Sequence, residues 1–170
     1  MSFLNNNSTQ KSTILVTGGA SGIGLELAKR FLTLGHTVIA AGRRQDRLDL
    51  AAQQFPGLKT IRADVSSDEG RVALFNKAVK DFPAINVVIN NAGVANFDVP
   101  LLKNTTPKDW EDHKGIINTN LLGTIHLSIL FLPHLLSKPN GLIANVTSVV
   151  GFFPIASEST YSATKGQYCQ

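Results

Sequence analysis

Cysteine is almost missing from this chain. Cys169 is the only one in 170 residues, which excludes a disulfide framework and any cysteine-spaced metal motif and makes a reducing, cytoplasmic setting the expectation. Charge is also sparse: Asp, Glu, Lys and Arg together make up 16%, with a net charge of +4. The small basic excess is scattered, with little aromatic interleaving, so nucleic acid is not expected as a partner. His36, His113, His126 and His134 form no metal-ligand pattern, and no metal is expected. Residues 1–12 are polar, rich in Asn, Ser and Thr, and lack the apolar stretch of a secretory signal; a disordered tail is expected there. The most apolar run, 121–136, is short for a membrane span and contains His126, Pro133 and His134. It is read as a buried helix, with Trp110 and Phe131 as packing residues on the same long helix, and no membrane partner is expected.

What is present is an ordinary globular composition, 43% hydrophobic, enough for one domain with a sizeable core. Short apolar runs at 13–16, 37–41, 58–62, 86–89 and 141–146 read as strands. Between them lie segments of helical spacing at 23–34, 46–54 and 67–82, with Ser67 a candidate cap. A long helix is expected from near Thr106, with Pro107 in its first turn, to about Leu136, and a last one from near Ser157. Strand and helix alternating in this way imply an α/β fold: a doubly wound parallel sheet of the Rossmann type, about five strands, helices on both faces, as one domain over 13–170.

The first strand runs into Thr17-Gly18-Gly19-Ala20-Ser21-Gly22-Ile23-Gly24. Glycines allow a tight turn and a close approach of backbone to ligand, and the helix that follows presents free N–H groups and a positive dipole end. Both suit a pyrophosphate, so Gly18, Ser21, Gly22, Ile23 and Gly24 are candidate cofactor contacts. The spacing is Gly-x-x-x-Gly-x-Gly, unlike the commoner Gly-x-Gly-x-x-Gly fingerprint. At the end of the second strand, where an NAD site usually carries a carboxylate for the ribose hydroxyls, the chain reads Ala41-Gly42-Arg43-Arg44. An arginine fork suits the 2′-phosphate of NADP. NADP(H) is therefore expected over NAD(H), with Arg43, nearest the strand end, ahead of Arg44.

Near the end of the chain, Tyr161 and Lys165 stand four apart, on one face of a helix. A free tyrosine has a pKa of about 10. A neighbouring ammonium favours the phenolate, which makes the pair a candidate proton-transfer device.

Taken in order, these residues resemble the short-chain dehydrogenase/reductase family. The glycine turn looks like that family's glycine motif. Asp64-Val65 looks like the pair that contacts the adenine ring. Asn90-Asn91-Ala92-Gly93 looks like the motif that steadies the sheet and lines the cofactor ribose, with Asn91, Ala92 and Gly93 as contacts. Asn120-Leu121-Leu122-Gly123 looks like the mid-helix motif with the catalytic asparagine; nearby Asn118 does not fit that pattern. Ser148 stands thirteen residues before Tyr161, as in the family, although Thr147 offers a second hydroxyl. The resemblance implies hydride transfer between NADP(H) and a small-molecule carbonyl or alcohol. Tyr161 would move the proton, Lys165 would lower the Tyr161 pKa and hold the nicotinamide ribose, Ser148 would polarise the substrate oxygen, and Asn120 would hold a relay water.

Family members carry two further strands, a segment closing over the nicotinamide and a substrate-covering loop. The expectation is therefore a chain shortened at its C-terminus, with the fifth strand an open edge. The family's helix pair serves as a homo-oligomer interface, which the shortening puts in doubt. The alternatives are a non-catalytic NADP(H)-binding or interaction protein and a fragment that does not fold alone. Largely apolar stretches at 94–97 and 149–155 suggest a hydrophobic carbonyl or alcohol, and an NADP preference leans toward reduction.

Overall fold

The computed structural model describes residues 11–95 and 106–166. Its strands are β1 (Thr13–Thr17), β2 (Thr37–Gly42), β3 (Lys59–Arg62), β4 (Ile85–Asn90) and β5 (Leu142–Asn145). They form one parallel sheet in the order β3-β2-β1-β4-β5. Successive strand residues point to opposite faces, and here both faces are covered. Ile14, Val16, Val38, Ala40, Val87 and Ile89 join one apolar cluster; Leu15, Ile39, Ala41 and Val88 join the other. Double coverage is why these strands read as unbroken apolar runs rather than alternating ones.

The first face is covered by α1 (Gly22–Thr33) and α2 (Gln45–Gln54) through Ala28, Leu48 and Ala51. The second is covered by α3 (Asp68–Asp81) and α5 (Gly123–Leu136) through Leu74, Ala78, Leu127, Phe131 and Leu135. Phe75 and Phe131 meet edge to face with centroids 5.0 Å apart, joining α3 to α5. Ser67 caps α3 by accepting from the Gly70 N–H at 3.1 Å. Thr106 and Asp109 form a capping box at the start of α4 (Pro107–Ile116), with Pro107 in its first turn. The chain winds outward from β1 to β3, then crosses back to β4 and β5. That reversal between β1 and β4 opens a crevice at the carboxyl ends of the strands.

Several expectations are corrected. The long helix is not uniform: α4 passes into a π-helical segment, Ile117–Leu122, before α5 resumes. Widening by one residue per turn leaves no mark on composition, so the sequence does not announce it. The run 121–136 is not buried all round. Leu127, Phe131 and Leu135 are in the core, whereas Ile125, Ile129, Leu132 and Leu136 form an exposed stripe. The continuous helix Asp109–Leu136 is, by length and composition, apolar enough to cross a membrane. Trp110 is not a packing residue: it is 57% exposed, with the Lys114 ammonium 6.0 Å from its ring centroid. The last helix, α6 (Ser159–Gly166), starts two residues later than expected, after a 3₁₀ turn at Ala156–Glu158.

Among the described residues β5 pairs only with β4 and is an edge of the sheet, as expected. Of the expected tail, residues 1–10 lie outside the described residues. Lys11 and Ser12 are tied down: Lys11 donates to the Leu34 carbonyl at 2.8 Å and the Ser12 N–H donates to His36 Nδ1 at 3.0 Å. Residues 96 and 97 and Cys169 also lie outside the described residues.

Candidate active site

The crevice is a cleft of about 540 Å³. Gly18, Ser21, Gly22, Ile23 and Gly24 line it from the turn between β1 and α1. Arg43 and Arg44 line it after β2, Asp64 and Val65 after β3, Asn91, Ala92 and Gly93 after β4, and Ser148 after β5. Tyr161 and Lys165 close it from α6. Each loop leaves the carboxyl end of a parallel strand, which is why residues so far apart in the chain share one wall.

Two glycines are required by this geometry. Gly18 has φ +66°, and a Cβ there would lie 3.0 Å from the Ala92 Cα. A Cβ on Gly24 would collide with the Gly18 carbonyl and with the Asn91 side chain. The turn is stitched to β4 by Thr17. Its hydroxyl accepts from the Asn91 and Ala92 N–H groups, both at 3.0 Å, and donates to the Ile89 carbonyl at 3.4 Å. Asn91 Nδ2 returns a bond to the Thr17 carbonyl at 2.9 Å. The sequence places Thr17 at the head of the turn but offers no sign of this role.

At the arginine end, Asp64 Oδ1 accepts from the Ser66 N–H at 3.0 Å and from its hydroxyl at 2.7 Å. Partial burial raises the Asp64 pKa, but the two Ser66 bonds and the charges of Arg43 and Arg71 more than offset this, holding it below the usual value. Arg47 also lines the cleft, from the first turn of α2, a third cation that the sequence left unassigned.

At the other end, Lys165 is 5% exposed. Its ammonium donates to the Val146 carbonyl at 2.9 Å and stands 5.9 Å from the Tyr161 ring centroid. Burial pushes the Lys165 pKa down. A Cβ on Gly93 would lie 3.5 Å from Asn120 Oδ1 and 3.6 Å from Lys165 Nζ, so Gly93 and Lys165 meet Asn120 just behind the cleft wall. Thr147 donates its hydroxyl to the Lys165 carbonyl at 2.9 Å, anchoring α6, while the Ser148 hydroxyl accepts from Val150 N–H at 3.4 Å. Both Thr147 and Ser148 line the cleft with Tyr161, and the Thr147 hydroxyl is already engaged in holding α6. Thr160, next to Tyr161, bonds His113 Nδ1 at 2.9 Å.

Asn120 does not line the cleft. It is fully buried behind it, in the π segment, with its side chain on the Val94 backbone and its Nδ2 also donating to Thr164 Oγ1 at 3.3 Å. Val94 and Ala95 line the cleft in front of it. Beside Ser148, Val149, Phe152 and Phe153 form an exposed apolar rim.

A family model described as short chain dehydrogenase matches residues 12–170. An uncharacterized oxidoreductase, DltE, of Bacillus subtilis (strain 168) is 43% identical over 154 residues, 91% of this chain and 60% of its own length. The NADP-dependent 3-hydroxy acid dehydrogenase YdfG of Shigella flexneri is 33% identical over 89% of this chain and 60% of its own length. Among solved structures, the closed form of a serine dehydrogenase complexed with NADP+ superposes with a TM-score of 0.82 at 31% identity, covering 92% of this chain and 62% of that one. The chain thus spans about 60% of the length of the curated relatives it matches. With the parallel sheet, the glycine turn and the Tyr161–Lys165 helix on one cleft, and with a family match running from Ser12 onward, this chain belongs to the short-chain dehydrogenase family.

Proposed function

We propose that this chain binds NADP(H) and carries the proton-handling side of hydride exchange between a carbonyl and an alcohol. The observation that carries the reading is one cleft with a glycine cradle and arginines at one end and Tyr161, Lys165 and Ser148 at the other. The residues fit a phosphorylated dinucleotide. The space a side chain at Gly18 or Gly24 would fill is left to the backbone, so a pyrophosphate can approach the start of α1. Arg43 and Arg44 match the 2′-phosphate, with Arg47 within the same wall. The NADP dependence of the relatives supports the same choice.

When bound, the nicotinamide supplies or accepts the hydride. In the reducing direction the Tyr161 hydroxyl gives its proton to the carbonyl oxygen, yielding an alcohol and a tyrosinate that solvent reprotonates. Lys165, fixed by Val146, supplies the positive charge beside that phenolate. Ser148 donates to the same substrate oxygen as charge develops on it. Asn120 acts through Val94 as a positioning residue, because its side chain is engaged there rather than in the cleft. The exposed rim of Val149, Phe152 and Phe153 favours an apolar substituent on the substrate.

A second reading is an NADP(H)-binding protein without turnover. It is favoured by the open β5 edge and the uncovered rim beside Ser148, which leave the substrate side exposed to water. Parallel titrations with NADPH and NADH, followed by turnover across a panel of ketones, aldehydes and alcohols, separate the two. Saturable, NADPH-preferring binding with turnover supports the oxidoreductase, binding alone supports the second reading, and no binding refutes both.

A further inference from the structure

Arg71 lies on α3, outside the cleft, and is 3% exposed. A buried guanidinium is costly unless its donors are placed, and an apolar side chain would fill the same position on the helix. Its donors are spread over distinct segments. Nη1 donates to the Val65 carbonyl at 2.7 Å and reaches the Asn118 carbonyl at 3.5 Å. Nε donates to His126 Nδ1 at 3.1 Å, and Nη2 pairs with Asp68. Val65 lines the arginine end of the cleft, whereas Asn118 lies in the π segment two residues before Asn120. A second contact joins the same two places: a Cβ on Gly123 would lie 3.1 Å from the Val65 carbonyl and 3.3 Å from that of Asn118.

We propose that Arg71 is a positioning residue that ties the Asp64–Val65 loop to the π segment, so that filling the adenine end of the cleft tightens the segment that holds Asn120. This rests on the NADP(H) reading above. One side chain holds a carbonyl at the adenine end of the cleft and reaches a carbonyl of the π segment behind its other end. Ordering the Val65 loop around a ligand therefore fixes the guanidinium, which in turn fixes Asn118 and the Asn120–Val94 clamp beyond it.

The test is hydrogen–deuterium exchange with 2′,5′-ADP, which carries the adenine end and 2′-phosphate but no nicotinamide. In the wild-type chain it is expected to slow exchange at 18–24 and 64–66 and also, by about fivefold or more, at 117–122. Arg71→Lys keeps the charge but not the fork; it is expected to bind 2′,5′-ADP and keep the slowing at 18–24 while losing it at 117–122. Leu74→Ala, a core substitution on the same helix, controls for lost stability and is expected to keep the slowing in both places. Unchanged exchange at 117–122 in the saturated wild type overturns the coupling, as does full slowing in Arg71→Lys. If Arg71→Lys does not fold, the wild-type result decides alone. A wild type that binds neither 2′,5′-ADP nor NADPH takes down the cofactor reading and the coupling with it, whereas binding without slowing at 117–122 sinks only the coupling.

Discussion

Asn120 grips both polar atoms of the Val94 backbone: Oδ1 accepts from the N–H at 2.8 Å and Nδ2 donates to the carbonyl at 2.8 Å. A side-chain amide does both at once, whereas an ionised carboxylate of the same size only accepts. Asn120→Asp keeps an acceptor, loses the donor and puts a carboxylate in a buried site. It is expected to destabilise by about 1–3 kcal/mol and to displace Val94 from the cleft wall. Thermal melts and NADPH titration check this: a lower melting temperature with weakened binding is the expected result, and a neutral variant would remove the clamp from the argument.

Tyr161→Phe deletes the transferable proton and little else. Turnover is expected to fall by about a hundredfold to ten-thousandfold, while NADPH affinity stays within about twofold. Steady-state rates beside a cofactor titration give both numbers. Retained turnover would mean that another group moves the proton.

Arg43→Ala is expected to weaken NADPH binding by about tenfold or more, the worth of a charge-assisted bond, with NADH affinity nearly unchanged. Equal effects on both cofactors would place the 2′-phosphate elsewhere, with Arg44 and Arg47 the next variants to make.

Two groups give pH signatures of the same sign in two separate windows, one alkaline and one acid. Burial lowers the Lys165 pKa below its unfolded value of 10.5. Between the two values the unfolded chain holds a proton that the native one lacks, so stability is expected to rise with pH through that alkaline window. Lys165→Met should flatten the rise. Asp64 titrates below its unfolded 3.8 when folded, so its contribution is full above that value and fades as pH falls through the folded one. Asp64→Asn should flatten that acid limb. Melting temperature against pH for the three proteins reads both effects, and parallel curves would remove them.

The sequence carried the sheet because its central strands β1, β2 and β4 are buried on both faces and leave unbroken apolar runs between turn residues. The carboxyl-end loops were legible for a related reason: Gly18 and Gly24 mark places where the backbone leaves no room for a side chain, and such glycines stand out in a chain. What was hidden involves groups whose partners are remote. Thr17 is an ordinary strand end until Asn91 and Ala92 arrive above it. Arg71 reads as a solvated helix charge until Val65, Asn118 and His126 close around it. Trp110 was misplaced because helical periodicity does not say which side of α4 packs, and here it is the His113 side, against α6.

The π segment has a mechanical meaning. One extra residue in a helix turns everything beyond it by about 100°. Before the π segment, α4 turns His113 toward Thr160 on α6; after it, α5 turns Leu127, Phe131 and Leu135 into the core. A straight α-helix through 117–122 could serve only one of these contacts. Removing a single residue there would leave a regular helix whose two ends demand different rotations, so the segment works as a gear offset between α6 and the sheet.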